Sequence, residues 1–278
     1  MKHLTIAIID TAHHVLASRA IDKALEITNA KSVLVLSDRD FYPGSKYVNI
    51  EAIPNKFEYS KLMLKELGKY VDTDYILNIQ YDGMPIDSSN WQNEFLCYDY
   101  IGAPWRWYPE PYRVGNGGFS LRSRRLMDCC LSDSFIFISG LEQCQEDVHI
   151  GILYKDWLSK KGIKYAPVQL ASKFSAEEPG GKFNSFGFHG TLCLPFYLDD
   201  EYLSFYISQL TEKMLQSAQH IRLIFSLIAA DRRQQIKQFM VRALILRPNF
   251  REVLYAQFPH DAVYYPELSW AQIDRVIN

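Results

Sequence analysis

Cysteine is scarce in this chain and spaced without pattern. Five of its 278 residues are cysteine, at Cys97, Cys129, Cys130, Cys144 and Cys193. None forms a CxxC pair and the count is odd, which argues against a zinc ribbon and a disulfide framework and points to a reducing compartment. An excess of charge is missing too: 30 Lys and Arg stand against 32 Asp and Glu, so no nucleic-acid partner is needed to neutralise the surface. No apolar run is long enough to span a bilayer, and the run from Leu4 to Ile9 is too short for a signal-peptide core. The expected location is therefore the cytoplasm. Glycine is absent where a dinucleotide-binding enzyme would need it. The first strand runs into Asp10-Thr11-Ala12-His13-His14, and without a glycine fingerprint there a Rossmann-type dehydrogenase is excluded.

What the chain does have is apolar residues, 48% of the total, enough for one large core or one core and a small appendage. Residues 4–9 form a continuous apolar strand, residues 16–27 follow with helical spacing, and residues 32–37 form a second buried strand. A further amphipathic helix around Tyr59 to Tyr70 and a strand over 75–80 extend this β-α-β beginning into a mainly parallel sheet flanked by helices. The sequence further predicts strands over 98–102, 117–122 and 163–170, a helix capped by Ser123 and running to Leu131, and a helix over 146–160. Past Pro195 the chain reads as helical. The expected organisation is an α/β domain over 1–195 and a helical C-terminal subdomain over 196–278.

Ligands of a parallel sheet lie at the carboxyl ends of its strands. That rule brings together Asp10-Thr11, Ser37-Asp38 and Gln80-Tyr81-Asp82. Thr11 and Asp38 are placed to meet the base and ribose of a nucleotide, and Tyr59 and Lys61, near a helix start, to reach base or diphosphate. The glycine-rich stretch Val114-Gly115-Asn116-Gly117-Gly118-Phe119-Ser120 lets a substrate approach the backbone closely, since no Cβ intervenes. Glu146-Asp147 opens a helix and supplies a base. Ala103-Pro104-Trp105-Arg106-Trp107-Tyr108-Pro109-Glu110-Pro111 is an aromatic, proline-stiffened loop, a candidate lid. Trp105 and Trp107 offer flat faces for a sugar ring, and Arg106 or Arg113 could serve an acidic acceptor.

Taken in order, Gln80-Tyr81-Asp82, Gly115-Asn116-Gly117-Gly118, Glu146-Asp147 and His189 resemble the common core of nucleotide-sugar glycosyltransferases with the GT-A fold. The resemblance is closer to a glycosyltransferase-like family that combines a Gln-x-Asp-Gly strand end with Tyr-Asp-Tyr-Ile-Gly-Ala-Pro-Trp, Val-Gly-Asn-Gly-Gly-Phe-Ser-Leu-Arg-Ser and Phe-Gly-Phe-His-Gly. It covers residues 4 to 195 and not the tail. It implies transfer of a sugar from a nucleoside diphosphate donor, a UDP-sugar being favoured, to a hydroxyl of a glycan or lipid-linked glycan in surface-polysaccharide or glycoconjugate synthesis.

On this resemblance Asp147 is the base of an inverting transfer, with Glu146 orienting the loop or touching an acceptor hydroxyl. A first-turn helical position would lower the pKa of Asp147. Gln80 and Asp82 face the donor, and Asn116, Gly117, Gly118, Trp105 and Trp107 face the acceptor. GT-A enzymes carry Asp-x-Asp to hold Mn²⁺ or Mg²⁺ against the diphosphate. Here Gln80 takes the first position. An ion would therefore be held by Asp82, phosphate oxygens, water and one further side chain, for which the resemblance implies His189. The missing aspartate also supports an alternative, a degenerate carbohydrate-binding or scaffold protein on the same fold.

The tail carries a basic amphipathic stretch, with Arg222, Arg232, Arg233, Lys237, Arg242, Arg247 and Arg251 beside Ile221, Leu223, Ile224, Phe225, Leu227 and Ile228. It reads either as a surface for the inner face of an anionic membrane or as a helical cap that packs on the protein or on a second copy. Packing is the favoured reading.

Overall fold

The computed structural model describes residues 4–30, 32–138, 145–177, 184–261, 271, 274 and 275, so Cys144 lies outside the described residues. Two compact units divide the chain, one over 1–177 with 183–189, the other over 178–182 with 190–278. The first unit begins as the hydrophobic pattern dictates: β1 (Leu4–Ile9), α1 (His14–Thr28), β2 (Ser32–Ser37), β3 (Lys46–Asn49), α2 (Lys56–Lys65) and β4 (Tyr75–Asn78). β5 (Gly83–Pro85), β6 (Tyr100–Gly102), β7 (Ser120–Ser123) and α3 (Arg124–Leu131) follow. The unit is completed by α4 (Glu146–Val148), α5 (Lys155–Lys160), α6 (Val168–Phe174), β8 (Ser175–Ala176) and β9 (Gly187–His189).

The main sheet has the order β3-β2-β1-β4-β7-β6. β3, β2, β1 and β4 are parallel, whereas β7 runs antiparallel to both β4 and β6. This is the mixed, mainly parallel α/β architecture that the alternating pattern implies. The continuous apolar runs of β1 and β2 are buried along nearly their whole length, as strands covered on both faces must be. Ser123 caps α3 as predicted, its hydroxyl accepting from the Leu126 amide at 3.1 Å.

A small sheet, β5-β9-β8, adjoins the end of β4. Gln80 and Gly83 exchange backbone hydrogen bonds at 2.8 and 3.0 Å, which turns the chain sharply out of the main sheet. β5 then pairs antiparallel with β9 in a register that sets Gly83 opposite His189. Aromatic rings hold this layer in place. Phe119 stacks on Phe174 at 5.0 Å, and Phe95 meets Phe174 edge-on at 5.2 Å, with Phe186 packed beside all three.

Three expectations are corrected. The segment 163–170 is not a strand: Tyr165 makes a single bridge to Tyr100, and Pro167, with no N–H for a ladder, instead precedes α6, which buries Leu170, Ala171 and Phe174. The helix expected over 146–160 is broken by a wide turn over His149–Leu153. There the Tyr154 amide reaches back to the His149 carbonyl, and the Tyr165 hydroxyl donates to the Ile150 carbonyl at 2.7 Å, a side chain entering the helical ladder. Strand β7 starts at Ser120 rather than Gly117, because the carbonyl of Gly117 is committed to side chains described below.

The second unit is helical among its described residues: α7 (Leu194–Tyr197), α8 (Asp200–Ser208), α9 (Ala218–Ala229), α10 (Arg233–Leu246) and α11 (Phe250–Asp261). Part of its basic stretch is committed internally. Arg232 donates to the carbonyls of Pro195 and Leu198 and pairs with Asp200 at 2.9 Å. Arg242 donates to the Leu210 carbonyl and Arg247 to that of Leu215. Ile221, Leu223, Ile224, Phe225 and Leu227 are buried. These residues are covered within the unit, whereas Val241 and Ile245 on α10 are exposed. No helix among the described residues is long and apolar enough to cross a membrane.

Phe174→Ala removes the ring on which Phe119 and Phe95 both rest. It is expected to cost about 3–5 kcal/mol, read as a lower urea midpoint for unfolding.

Candidate functional site

The carboxyl ends of β1 and β4, the 114–119 loop, α4 and β9 converge within the first unit. Asn78 closes β4, and its amide nitrogen donates to the carbonyls of Gly117 at 2.8 Å and Gly118 at 3.4 Å. The Gly117 carbonyl also accepts from the Ser120 hydroxyl at 2.9 Å and the Arg122 guanidinium at 3.2 Å. Asn116 closes its own loop by accepting from the Gly118 amide at 3.1 Å. Its side-chain amide then donates to Glu177 Oε1 at 2.6 Å.

Arg122 is 2% exposed. Its Nη2 pairs with Glu146 Oε1 at 3.0 Å, its Nε donates to Ser120, and its guanidinium carbon lies 5.6 Å from the centre of the Tyr100 ring. Glu146 is further fixed through its amide, which donates to the Ser60 hydroxyl at 3.1 Å. A carboxylate held this way ties α4 to the strand residue Arg122 and, through Ser60, to α2.

Asp147 follows. Its Oδ2 accepts from the Gly117 amide at 3.2 Å and its Oδ1 from its neighbour Val148 at 2.8 Å. Burial and the adjacent Glu146 push its carboxyl up to about 7, against those two backbone bonds, which act to lower it. The expected lowering by a helix N-terminus is therefore reversed. α4 has only three residues before the wide turn, too short for a sizeable dipole, while desolvation of the carboxylate is nearly complete.

His189 lies across the glycines. A Cβ on Gly118 would fall 2.0 Å from its Nε2, and one on Gly83 would fall 2.9 Å from its Cδ2. A Cβ on Gly117 would fall 2.3 Å from Glu146 Oε1. The sequence pattern assigns these glycines to a substrate's close approach. In the structure the space above Gly117 and Gly118 is filled by the protein's own imidazole, carboxylate and guanidinium. His189 Nε2 lies 3.2 Å from Gln80 Oε1, and Nδ1 lies 3.5 Å from Glu177 Oε1. Burial works against a charged ring, but Glu177, Asp82 and Asp147 outweigh it and raise the imidazole to about 9. The Gln80 amide is fixed in turn by donating to the Tyr59 hydroxyl at 2.8 Å. Tyr59 is itself raised well above the ordinary phenol value by burial and by Glu146.

The remaining expected residues divide. Thr11 is half-buried and its hydroxyl accepts from the Ile53 amide at 2.9 Å, tying down the loop before α2. Asp38 meets His14 Nε2 at 2.6 Å. Burial opposes its ionisation, but His14, Ser37 and Arg39 hold it below the usual carboxylate value. The His13 ring lies 4.4 Å from that of Tyr81, which links the ends of β1 and β4. Lys61 is exposed. Trp105 is not an open platform: it is 6% exposed, packed where a side chain on Gly115 would stand. Trp107 is 74% exposed and retains that capacity. Backbone contacts between Trp105 and Arg113 and between Pro104 and Val114 tie the two ends of the loop together.

Three participants escape sequence reasoning. Arg122 lies within its motif without a role, Asn78 reads as ordinary strand, and Glu177 belongs to no motif. The available signal for Arg122 is an arginine amid strand residues. Nothing local marks Glu177, which reaches the site through β8. Among the described residues, no group of three or more His, Cys, Asp or Glu could by itself hold a metal ion.

The model of the family described as "Protein of unknown function (DUF5672)" matches residues 44–189, more than half of the chain and all of the cluster from Tyr59 to His189. The chain belongs to this DUF5672 family. A search of curated proteins finds no match. Similar solved structures include the bifunctional IspDF from Campylobacter jejuni, 10% identical at a TM-score of 0.38, covering 59% of this chain and 49% of that one. The DUF5672 chain thus spans about half the length of that protein. Others are the galactosyltransferase LgtC, 14% identical at a TM-score of 0.42 over 66% of this chain and 86% of that one, and a glycosyltransferase involved in glycosylation of the major capsid of PBCV-1, 10% identical at 0.40 over 67% and 93%. Likeness of this degree carries no information about activity.

The raised Asp147 carboxyl makes a prediction with a definite sign. Its native value, about 7, lies above the ordinary 3.8, so the folded state holds the proton more tightly and loses stability as pH rises between those values. An asparagine at this position would not titrate. The melting temperature of Asp147→Asn relative to wild type is expected to increase between pH 4 and pH 7 and then level off; a gap that shrinks over that range refutes the shift.

Proposed function

We propose that this protein is a glycosyltransferase of GT-A type that moves a sugar from a nucleoside diphosphate donor, a UDP-sugar by preference, to a hydroxyl of a glycan acceptor with inversion. The observation that carries this reading is the buried carboxylate of Asp147, positioned by the Gly117 amide in the cluster that also holds Gln80 and His189. Inverting transfer needs one base on the acceptor side and a charge-stabilising group on the donor side. In the proposed step the acceptor oxygen bonds to the anomeric carbon as its proton passes to Asp147. The bond from that carbon to the diphosphate oxygen breaks, and its electron pair leaves with the nucleoside diphosphate.

The chain's own residues divide this work. Arg122 and Glu146 fix the 114–119 loop and so the amide that orients Asp147. Gln80 and His189 stand at the end of β4, where a diphosphate would lie by the strand-end rule. A divalent cation, when bound there through Asp82 and His189, would neutralise the leaving diphosphate. Trp107, exposed on its loop, is proposed to stack on the acceptor ring. Synthesis of a surface polysaccharide or glycoconjugate in the cytoplasm is the setting proposed for this chemistry.

Thermal-shift measurements with UDP, GDP, CDP and their sugars test the donor class. A shift with UDP is expected; no shift with any nucleotide would make the degenerate scaffold the leading reading. Asp147→Asn is expected to lower the transfer rate about 10²–10⁴-fold while leaving the UDP shift intact. Because the base must be ionised, wild-type kcat should fall as pH drops below about 7.

A further inference from the structure

Asp147 lies on a helix too short to hold its own place. α4 has three residues, and Gln145, which precedes it, makes no capping bond with its side chain; a single helical turn is unstable without outside contacts. Glu146 ties the start of α4 to Arg122 and Ser60. We infer that His149, two residues beyond Asp147, secures the other end as a neutral ring bridging the Gln145 carbonyl and the Ile138 amide, and is thereby a positioning residue for the Asp147 carboxylate. The inference deepens the transferase reading and rests on it only where a rate is measured.

His149 is 0% exposed, and both of its ring nitrogens are bonded. Nδ1 lies 2.9 Å from the Gln145 carbonyl oxygen, and Nε2 accepts from the Ile138 amide at 3.1 Å. These partners decide where the proton sits. A carbonyl oxygen only accepts, so Nδ1 carries the hydrogen; an amide N–H only donates, so Nε2 is bare. A charged ring would set two N–H groups against each other and lose the Ile138 bond. The Gln145 carbonyl also accepts from the His149 amide at 3.1 Å, so ring and backbone of one residue hold the same oxygen at the head of α4.

Aromatic neighbours extend this anchorage. Phe137 stacks on the imidazole at 4.7 Å, and Tyr154 lies nearly parallel to it at 6.5 Å. Phe137 also meets Phe57 of α2 at 4.8 Å. The Tyr154 hydroxyl accepts from the Ile136 amide at 3.2 Å and donates to the Ile136 carbonyl at 2.9 Å, while the Tyr154 amide donates to the His149 carbonyl at 2.9 Å. The wide turn is thus joined to residues 136–138 at two points, and that segment to α2. Asp147 sits between Glu146, tied to Arg122, and His149, tied to this segment.

The surroundings favour the neutral ring. Phe137 and Phe57 are apolar, Tyr154 presents a phenol already bound to backbone, and Glu146 is the carboxylate that acts on the imidazole. Burial outweighs the Gln145 carbonyl and the Glu146 charge and holds the ring below its ordinary value.

The first test is long-range ¹H–¹⁵N correlation on the full chain labelled with ¹⁵N-histidine, at neutral pH. His149, identified by the signals missing from His149→Gln, is expected to be neutral with its proton on Nδ1; a proton on Nε2 or a charged ring overturns the inference. The second is the ¹³C titration of the Asp147 carboxyl, whose wild-type midpoint is about 7. His149→Phe keeps a flat ring and removes both bonds, whereas His149→Gln supplies one donor and one acceptor. The midpoint is expected to drop toward the ordinary carboxylate value in His149→Phe and to recover at least in part in His149→Gln; an unchanged midpoint in His149→Phe overturns the inference. Should His149→Phe not fold, the wild-type tautomer decides. In transfer assays His149→Phe is expected to lower kcat about tenfold to a hundredfold with the donor KM unchanged. Transfer at the full rate by His149→Phe would overturn the inference and leave the transferase reading standing. The expected tautomer and titration with no transfer by wild type would support the placement of Asp147 by His149 and overturn that reading.

Discussion

Arg122 is a guanidinium buried beneath the site, and the arrangement above it depends on how its charge is met. A buried cation without partners is strongly unfavourable. Arg122 is satisfied by the Glu146 carboxylate, the Gly117 carbonyl and the Ser120 hydroxyl, with the Tyr100 ring nearby. Each contact fixes a different element: α4 through Glu146, the glycine loop through Gly117, and the strand pair β6–β7 through Tyr100 and Ser120. The pair Arg122–Glu146 adds little to net stability by the usual balance of desolvation against attraction, yet removing either partner leaves the other charged and dry. Its value lies in registering three segments that are remote in sequence.

Asp147 inherits its position from this registration. The Gly117 carbonyl accepts from Asn78 and Arg122 while the Gly117 amide donates to Asp147, so one loop residue joins the buried cation to the acid. The same burial that shields Arg122 raises the Asp147 carboxyl, and the neighbouring Glu146 adds to that rise. Two adjacent acids thus acquire different characters: Glu146 is neutralised by an ion pair, and Asp147 is left desolvated with no cation of its own among its hydrogen-bond partners. A basic carboxylate near neutral pH follows from that division.

Much of the main sheet was legible because its strands are continuous apolar runs. Ile6, Ala7, Ile8, Leu34, Val35 and Leu36 are all buried, and their run lengths alone separate strand from helix. The Ser123 cap was legible because a serine before an apolar periodic segment has few other uses. What failed was long-range. The 163–170 segment has the composition of a strand, but Tyr100 offers it a single pairing and Pro167 ends the ladder. The site was legible as a set of motifs and not as contacts. Gly117 and Gly118 are recognisable as spaces without being recognisable as spaces for Glu146 and His189, since what fills them arrives from about 30 to 70 residues downstream. Glu177 carries no local mark, and only the β8–β9 pairing brings it to the imidazole.

The glutamine at position 80 bears on whether this fold is degenerate. If Gln80 were a decayed ligand, its amide would have no particular orientation to keep. Instead it donates to Tyr59 from one end and faces His189 with the other. An aspartate there would be a shorter side chain with acceptors alone, unable to donate to the phenol while also accepting from the ring. Tyr59, pushed up by burial, keeps its proton at any ordinary pH and so remains a fixed neutral partner for the amide. The chain Tyr59–Gln80–His189 is thus a directed set of hydrogen bonds, with the imidazole at its end fitted to glycines that admit no larger residue. Loss of a ligand leaves gaps; here the substituted residue is fully used, and the other ring nitrogen of His189 faces the Glu177 carboxylate at 3.5 Å.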